Sequence, residues 1–124
     1  MASFENAIRQ ELEKTVTNVF PLFAPEGTPT PYCVYVSSYG ERDLALEGYL
    51  ASREIEVTVH IVAQTYEQMK TLTNGVMDNF CTFTNKKIGT DLLRIQAVKY
   101  DDPTEMVEPE TKVAHSFVDF NFRL

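Results

Sequence analysis

Cysteine and basic residues are scarce in this sequence of 124 residues, and each shortage excludes a class of protein. The two cysteines, Cys33 and Cys81, are too few and too far apart for a disulfide framework or a zinc site. Both are therefore expected to be buried or half-buried free thiols. Lysine and arginine number 11 against 18 acidic residues, and the formal net charge is -7. This excess of negative charge disfavours general binding to nucleic acid or to an anionic membrane.

Long apolar runs are also missing. A membrane-spanning helix needs about 18 or more consecutive apolar residues, and no run in the sequence approaches that length. Residues 1–11 are polar and acidic, unlike a secretion signal. We therefore expect a protein that stays in the cytoplasm where it is made, or leaves it as part of something larger. The composition, with 44% hydrophobic and 23% charged residues, predicts one globular domain spanning residues 1–124.

The clearest pattern is a strand followed directly by a helix. Apolar residues alternate with mostly polar ones at Ile55, Val57, Val59, Ile61 and Ala63, which predicts a strand with one packed face. Thr65 and Gln68 then form a capping box. Apolar residues follow at helical spacing: Met69, Leu72, Val76, Phe80 and Phe83. This spacing continues across the turn-like Asn74-Gly75, so we predict one helix that folds back over the apolar face of the strand.

The remaining periodicities predict one more helix and several strands. A first helix, capped by Ser3, is predicted to bury Phe4, Ile8, Leu12, Val16 and Val19 or Phe20 and to stop at Pro21. Further strands are predicted at 32–38, 93–97 and 118–124, separated by a charged turn at 41–43 and loops at 84–91 and 101–110. Residues 44–51 suit either an edge strand or a short helical turn, and Gly48 favours a hairpin arm.

Together these elements predict an α+β fold. The expected architecture is a two-layer sandwich, with a mostly antiparallel or mixed sheet of about four to five strands and two helices on one face.

Candidate catalytic groups are few. His60 and His115 are the only histidines, and both fall on the polar side of their predicted strands. If those strands were neighbours, His60 could meet His115 or Asp119 in a proton relay or a metal pair. The alternative is two surface histidines on the solvated side of a sheet. We favour this alternative, because no serine, cysteine or third ligand is linked to them by spacing.

An acidic segment is the second candidate. Residues 101–110 contain five acids and no base: Asp101, Asp102, Glu105, Glu108 and Glu110. Carboxylates in a loop can bind calcium, but the alternating acids and turn glycine of the helix-loop-helix calcium site are missing. A solvated loop is therefore predicted.

The order of motifs resembles the tail-completion or tail-terminator family of long-tailed bacteriophages. The similarity lies in a short N-terminal helix, a proline-rich connector, Pro31-Tyr32-Cys33-Val34-Tyr35, a charged arm with Gly48, the strand 53–59, Ala63-Gln64-Thr65-Tyr66-Glu67 opening a helix, and a closing Val118-Asp119-Phe120. This resemblance spans nearly the whole chain.

The resemblance implies a structural protein without catalytic, cofactor or metal residues. Six copies, which can stay monomeric until they meet the tail tube protein, would form a ring at the head-proximal end of the tail tube. The ring would end tube growth and present a surface for the head-neck connector protein. Assembly would occur in the host bacterial cytoplasm, followed by residence in the virion. The acidic segment would face a channel through which DNA slides without specific binding. The candidate subunit-contact arm contains Glu41, Arg42, Asp43, Leu44 and Tyr49.

Two other functions remain open at this stage. One is a neighbouring neck component, such as the stopper or adaptor between portal and tail. The other is a small-molecule enzyme or binding domain that uses His60 and His115.

Overall fold

A computed structural model describes residues 2–38, 41–45, 48–89 and 93–124. In chain order, the elements are α1 (Ala2–Glu13), β1 (Asn18–Pro21), β2 (Tyr32–Ser37), β3 (Glu41–Ala45), β4 (Gly48–Ala63), α2 (Tyr66–Cys81), β5 (Lys86–Ile88), β6 (Leu93–Ile95), β7 (Ala97–Tyr100), β8 (Thr104–Val107) and β9 (Ala114–Arg123).

Seven of these strands form one mixed sheet in the order β1-β2-β4-β9-β7, with β3 beside β4 and β8 beside β9. Its centre is the antiparallel pair β4 and β9, whose register runs from Glu54 opposite Arg123 to Ala63 opposite Ala114. Only β1 and β2 are parallel among the described pairs. In addition, β5 and β6 form a separate small sheet.

Both helices pack on the same face of the main sheet, which we call the packed face. The alternation predicted for the central strand is confirmed, because Ile55, Val57, Val59 and Ile61 are fully buried. They form one core with residues of α1, α2 and β9, among them Phe4, Leu12, Phe80, Phe120 and Phe122. Apolar burial of this extent is the main stabilising term of the fold. The predicted α+β sandwich with two helices on one face is confirmed, with more strands than expected.

The long second helix is confirmed across Gly75. The hydroxyl of Thr65 accepts a hydrogen bond from the backbone N–H of Gln68 at 3.1 Å. The Gln68 side chain in turn accepts from the backbone N–H of Gln64 at 3.2 Å, one residue before the position expected in a capping box. The helix ends at Cys81, and the buried Phe83 lies just beyond it.

The predicted length of the first helix is wrong. It ends at Glu13, and residues 18–21, predicted to be its last turn, form β1 against β2. Val16 and Val19 are nevertheless buried in the core. The β-branched residues of 15–17 lose side-chain freedom in a helix, which explains why the helix stops before them.

Three connections also differ from the prediction. The charged turn at 41–43 is instead part of β3, which pairs with β4 and confirms the hairpin arm. Residues 86–88 of the predicted 84–91 loop form β5, and residues 90–91 lie outside the described residues. The strand predicted at 93–97 is divided at Gln96 between two sheets. In each case, strand pairing with a distant partner decides the structure, and local pattern does not show it.

The two cysteines are both free, but only Cys33 is buried. Burial raises the pKa of its thiol to about 12. Cys81 is exposed at the end of α2, against the expectation that both would be at least half-buried. Within the described residues, no helix combines the length and apolar character needed to span a bilayer.

Candidate functional site

The face of the main sheet opposite the helices, which we call the open face, carries both histidines. His60 on β4 lies opposite Phe117 on β9, and their rings stack with centroids 4.2 Å apart. His115 is diagonal to His60, and the His60 Nε2 lies 3.0 Å from the His115 Nδ1. The prediction that both fall on the polar side of their strands is confirmed, but they are half-buried and contact each other.

The second ring nitrogen of His115 faces a carboxylate. Its Nε2 lies 3.3 Å from the Glu108 Oε2, although the angle is not that of a hydrogen bond. A proton on this Nε2 is favoured by the carboxylate, which leaves Nδ1 to accept from the His60 Nε2–H. Burial, and then the positive charge that His115 can carry, lower the pKa of His60 to about 4. The surroundings of His60 therefore favour its neutral imidazole near neutral pH.

Glu108, His115 and His60 lie in a row and do not surround a common point, as metal ligands would. Glu108 faces the nitrogen of His115 that points away from His60, so the three side chains do not converge on one point. In the described part of the chain, no set of three or more His, Cys, Asp or Glu side chains is placed to hold a metal ion. Asp119, the other partner considered for His60, accepts a hydrogen bond from the Thr58 hydroxyl at 2.7 Å.

A groove runs along the open face beside β7. Its lining includes Glu56, Lys99, Tyr100, Asp101 and Asp119, and neither histidine lines it. The two imidazoles and the groove are thus separate features of this face.

The acidic segment is not a plain loop. Residues 104–107 form β8 against β9, and all four are exposed. Two of the five acids face cationic or titratable partners: Glu105 pairs with Lys70 Nζ at 3.0 Å, and Glu108 faces His115. Asp101, Asp102 and Glu110 are exposed and form no ion pair with the described residues. The segment therefore presents less free negative charge than the sequence suggests.

The hairpin arm extends beyond the rest of the sheet. The last pair between β4 and β9 is Glu54 with Arg123, joined by an ion pair of 3.4 Å. From 48 to 53, β4 pairs only with β3 among the described residues. The side chains of Glu41, Arg42, Asp43, Leu44 and Tyr49 lie outside the described part of the structure, so their predicted contact role stays a prediction.

Sequence reasoning missed the exposed apolar residues at the two edges of the sheet. Beyond β1, Leu22 and Phe23 are 69% and 73% exposed. At the opposite edge, Met106 and Val107 of β8 are 50% and 42% exposed. The run 18–25, which has no charged residue, was the available signal for the first pair.

The model of the family described as "Tail completion protein gp17" matches residues 7–124. The chain belongs to this family. The tail completion assignment agrees with the resemblance that the order of motifs carries, and it makes the chain a structural protein of a phage tail.

Solved structures share the fold of this tail completion protein. A chain of the "Virion of native gene transfer agent (GTA) particle" superposes with a TM-score of 0.67 at 13% identity, covering 98% of this chain and 94% of that chain. A second solved chain, also 13% identical, gives a TM-score of 0.55 and covers 99% of this chain and 92% of its own length. At this identity the likeness establishes the fold alone. No curated protein sequence matches this chain.

Proposed function

We propose that this tail completion protein caps the tail tube at its head-proximal end as a closed ring. By the family resemblance, the ring contains six copies. It ends tail elongation and forms the surface that joins the head. It acts by contacts with neighbouring subunits and not by catalysis. Its partners are other copies of itself, the tail tube protein and a head-neck connector protein. It is made in the host bacterial cytoplasm and then becomes part of the virion. Membership of the tail completion family carries this proposal.

The hairpin arm supports a role in subunit contact. Beyond Glu54, the arm is a two-stranded ladder without β9 at its side. A two-stranded hairpin is at best marginally stable in water on its own. A neighbouring subunit that covers the arm would stabilise this two-stranded ladder. The arm is therefore the first candidate for contact with the next copy or with the tube.

The open acids support a channel-facing position for the segment 101–110. Asp101, Asp102 and Glu110 are exposed, and their negative charge would repel the phosphates of passing DNA. With Glu105 and Glu108 facing partners, these three acids carry the repulsion. A ring in which this segment lies on the outer surface would contradict this part of the proposal.

Tail length is the measurement that tests the capping function. We replace residues 43–50 by the two-residue turn Asn-Gly, which shortens β3 and the start of β4 and leaves the pairing of β4 with β2 and β9 in place. As a matched control, Glu26→Gln changes an exposed residue of the connector between β1 and β2. Particles made with the shortened arm should show unjoined heads and tails of irregular length in electron micrographs, and the control should match wild type.

The location of the protein in the assembled particle separates the related functions. A cryo-EM reconstruction should place a ring of this chain on the last ring of tail tube protein. A ring that contacts the portal side and not the tube would assign the chain to a neighbouring neck component. Tails of normal length in the complete absence of the chain would refute the capping function.

A further inference from the structure

Leu22 and Phe23 form a strained turn at the end of the edge strand β1. Leu22 has a φ of 65°, and the Phe23 N–H donates to the Pro21 carbonyl at 2.7 Å. This is a γ-turn of the rarer hand, which is strained for a residue with a side chain. The Leu22 N–H also donates to the Tyr35 carbonyl at 3.0 Å, which ties the turn to β2.

Burial within the monomer does not compensate for this strain. Both side chains are about as exposed as any large apolar residue in the described structure, at 69% and 73%. No charged residue lies between 18 and 25 to solvate the turn. The turn is strained, and its apolar side chains are exposed to solvent in the monomer. Together these two features point to a contact with another molecule.

Two exposed apolar residues lie at the opposite edge of the same sheet, one on each face: Met106 opposite the half-buried His115 and Val107 opposite the buried Ala114. In β8, Met106 and Val107 are exposed, and the strand pairs with β9 on one side only among the described residues. The neighbouring Glu105 carboxylate is turned to Lys70 at 3.0 Å, so its charge is partly neutralised. Methionine adapts its shape to an incoming side chain. The Glu105 carboxylate therefore adds little unpaired charge to a contact at this edge.

We infer that the Leu22–Phe23 turn of one copy packs against Met106 and Val107 of the next copy. Two different surfaces on opposite edges of one sheet give a head-to-tail contact, which generates a closed ring when the rotation between copies closes. We favour a second copy of the same chain as the binding partner, because one chain carries the Leu22–Phe23 turn at one edge of the sheet and Met106 and Val107 at the other. This inference rests on the proposed ring and adds the residues that join its subunits.

Cross-linking between two proteins that each carry one exposed cysteine tests the pairing. In a Cys81→Ser background, which leaves only the buried Cys33, we prepare Phe23→Cys and Met106→Cys separately. A short bis-maleimide should give cross-linked dimers in the mixture and little product with either protein alone. Lys87→Cys is the matched control, since Lys87 is exposed on β5, which belongs to the separate small sheet and to neither edge of the main sheet. It should not cross-link with either partner.

Association measured by sedimentation gives a second readout. Phe23→Asp and Met106→Asp should each weaken self-association by at least about tenfold, as expected for truncation of a central apolar contact. The double variant should be little worse than either single variant, because both remove one contact. Lys87→Asp should associate like wild type. Circular dichroism confirms that these exposed substitutions leave the fold intact.

The outcomes distinguish this inference from the proposed function. A ring whose 23–106 cross-link forms, in solution or in assembled particles, supports both. A ring that assembles without this cross-link, and tolerates both aspartates, overturns the inference and leaves the capping function standing. A chain that remains monomeric in solution and inside assembled particles overturns both.

Discussion

Acidification should lower the free energy of unfolding of this protein. Protonation of His60 should account for a part of this loss that the exposed carboxylates do not explain. His60 stacks on Phe117 and lies beside His115, and its pKa is lowered from 6.5 to about 4. The unfolded chain therefore takes up a proton near pH 6.5, whereas the folded protein does so only near pH 4. Above pH 6.5, His60 is neutral in both states and does not change the free energy of unfolding. As the pH falls from 6.5 to about 4, the unfolded state is protonated first and the free energy of unfolding decreases.

The size of the effect follows from the same shift. Each pKa unit corresponds to about 1.4 kcal/mol, so a shift from 6.5 to about 4 sets an upper limit of about 3 kcal/mol. His60 is only half-buried, and solvent screening reduces this limit. We expect a loss of about 1–2 kcal/mol between pH 7 and pH 4.5 that is attributable to this one side chain.

The measurement compares wild type with His60→Gln, which keeps a donor for the Nδ1 of His115 but does not titrate. The sequence has no tryptophan, so urea unfolding is followed by circular dichroism or by emission from the six tyrosines. Acids elsewhere in the chain titrate equally in both proteins and cancel in the difference. The two stability curves should converge as the pH falls. Curves that stay parallel from pH 7 to pH 4.5 would refute the reasoning.

Three further substitutions test the packing around the two helices by urea unfolding. Gly89→Ala should cost about 2 kcal/mol or more, because Gly89 has a φ of 75° and the new Cβ would lie 2.7 Å from the Ala7 Cβ; an unchanged midpoint would contradict this. Gly75→Ala should add about 1 kcal/mol to the free energy of unfolding through helix propensity, but its new Cβ would lie 3.0 Å from the methyl group of Thr15. The gain should therefore be smaller in Gly75→Ala alone than in a Thr15→Ser background, where this methyl group is absent. Thr65→Ala should cost about 1 kcal/mol through loss of the cap, whereas Thr65→Ser should be nearly neutral, and equal costs would argue against capping.

The elements whose signals are local could be predicted from the sequence. The alternation from Ile55 to Ala63 identified the buried face of β4, and the cap at Thr65 located the start of α2. The alternation of β4 placed His60 on the polar side of its strand, and the alternation of β9 did the same for His115. Each of these predictions depends on residues that are close in sequence. Over such short distances, side-chain periodicity follows directly from the geometry of the strand or helix backbone.

The remaining features depend on partners distant in sequence. β1 and β8 are short and become strands because β2 and β9 offer them free edges. Contact between His60 and His115 requires a register that places His60 opposite Phe117, and a shift by one residue would remove it. The ion pair of Glu105 with Lys70 joins residues that no spacing rule connects. The sequence therefore identified the residues of the candidate site, but it did not predict the strand register and the contacts that join them.

The central position of β9 has a consequence for biosynthesis. This strand pairs with β4 on one side and with β7 and β8 on the other, and all three are translated before it. A nascent chain that ends before Ala114 has helices and hairpins but exposes the edges that β9 will later join. Such unpaired edges are prone to aggregation, and pairings over so many residues form slowly. The main sheet is thus completed only once β9 has been translated, and truncations that remove part of β9 should yield insoluble protein rather than a smaller working subunit.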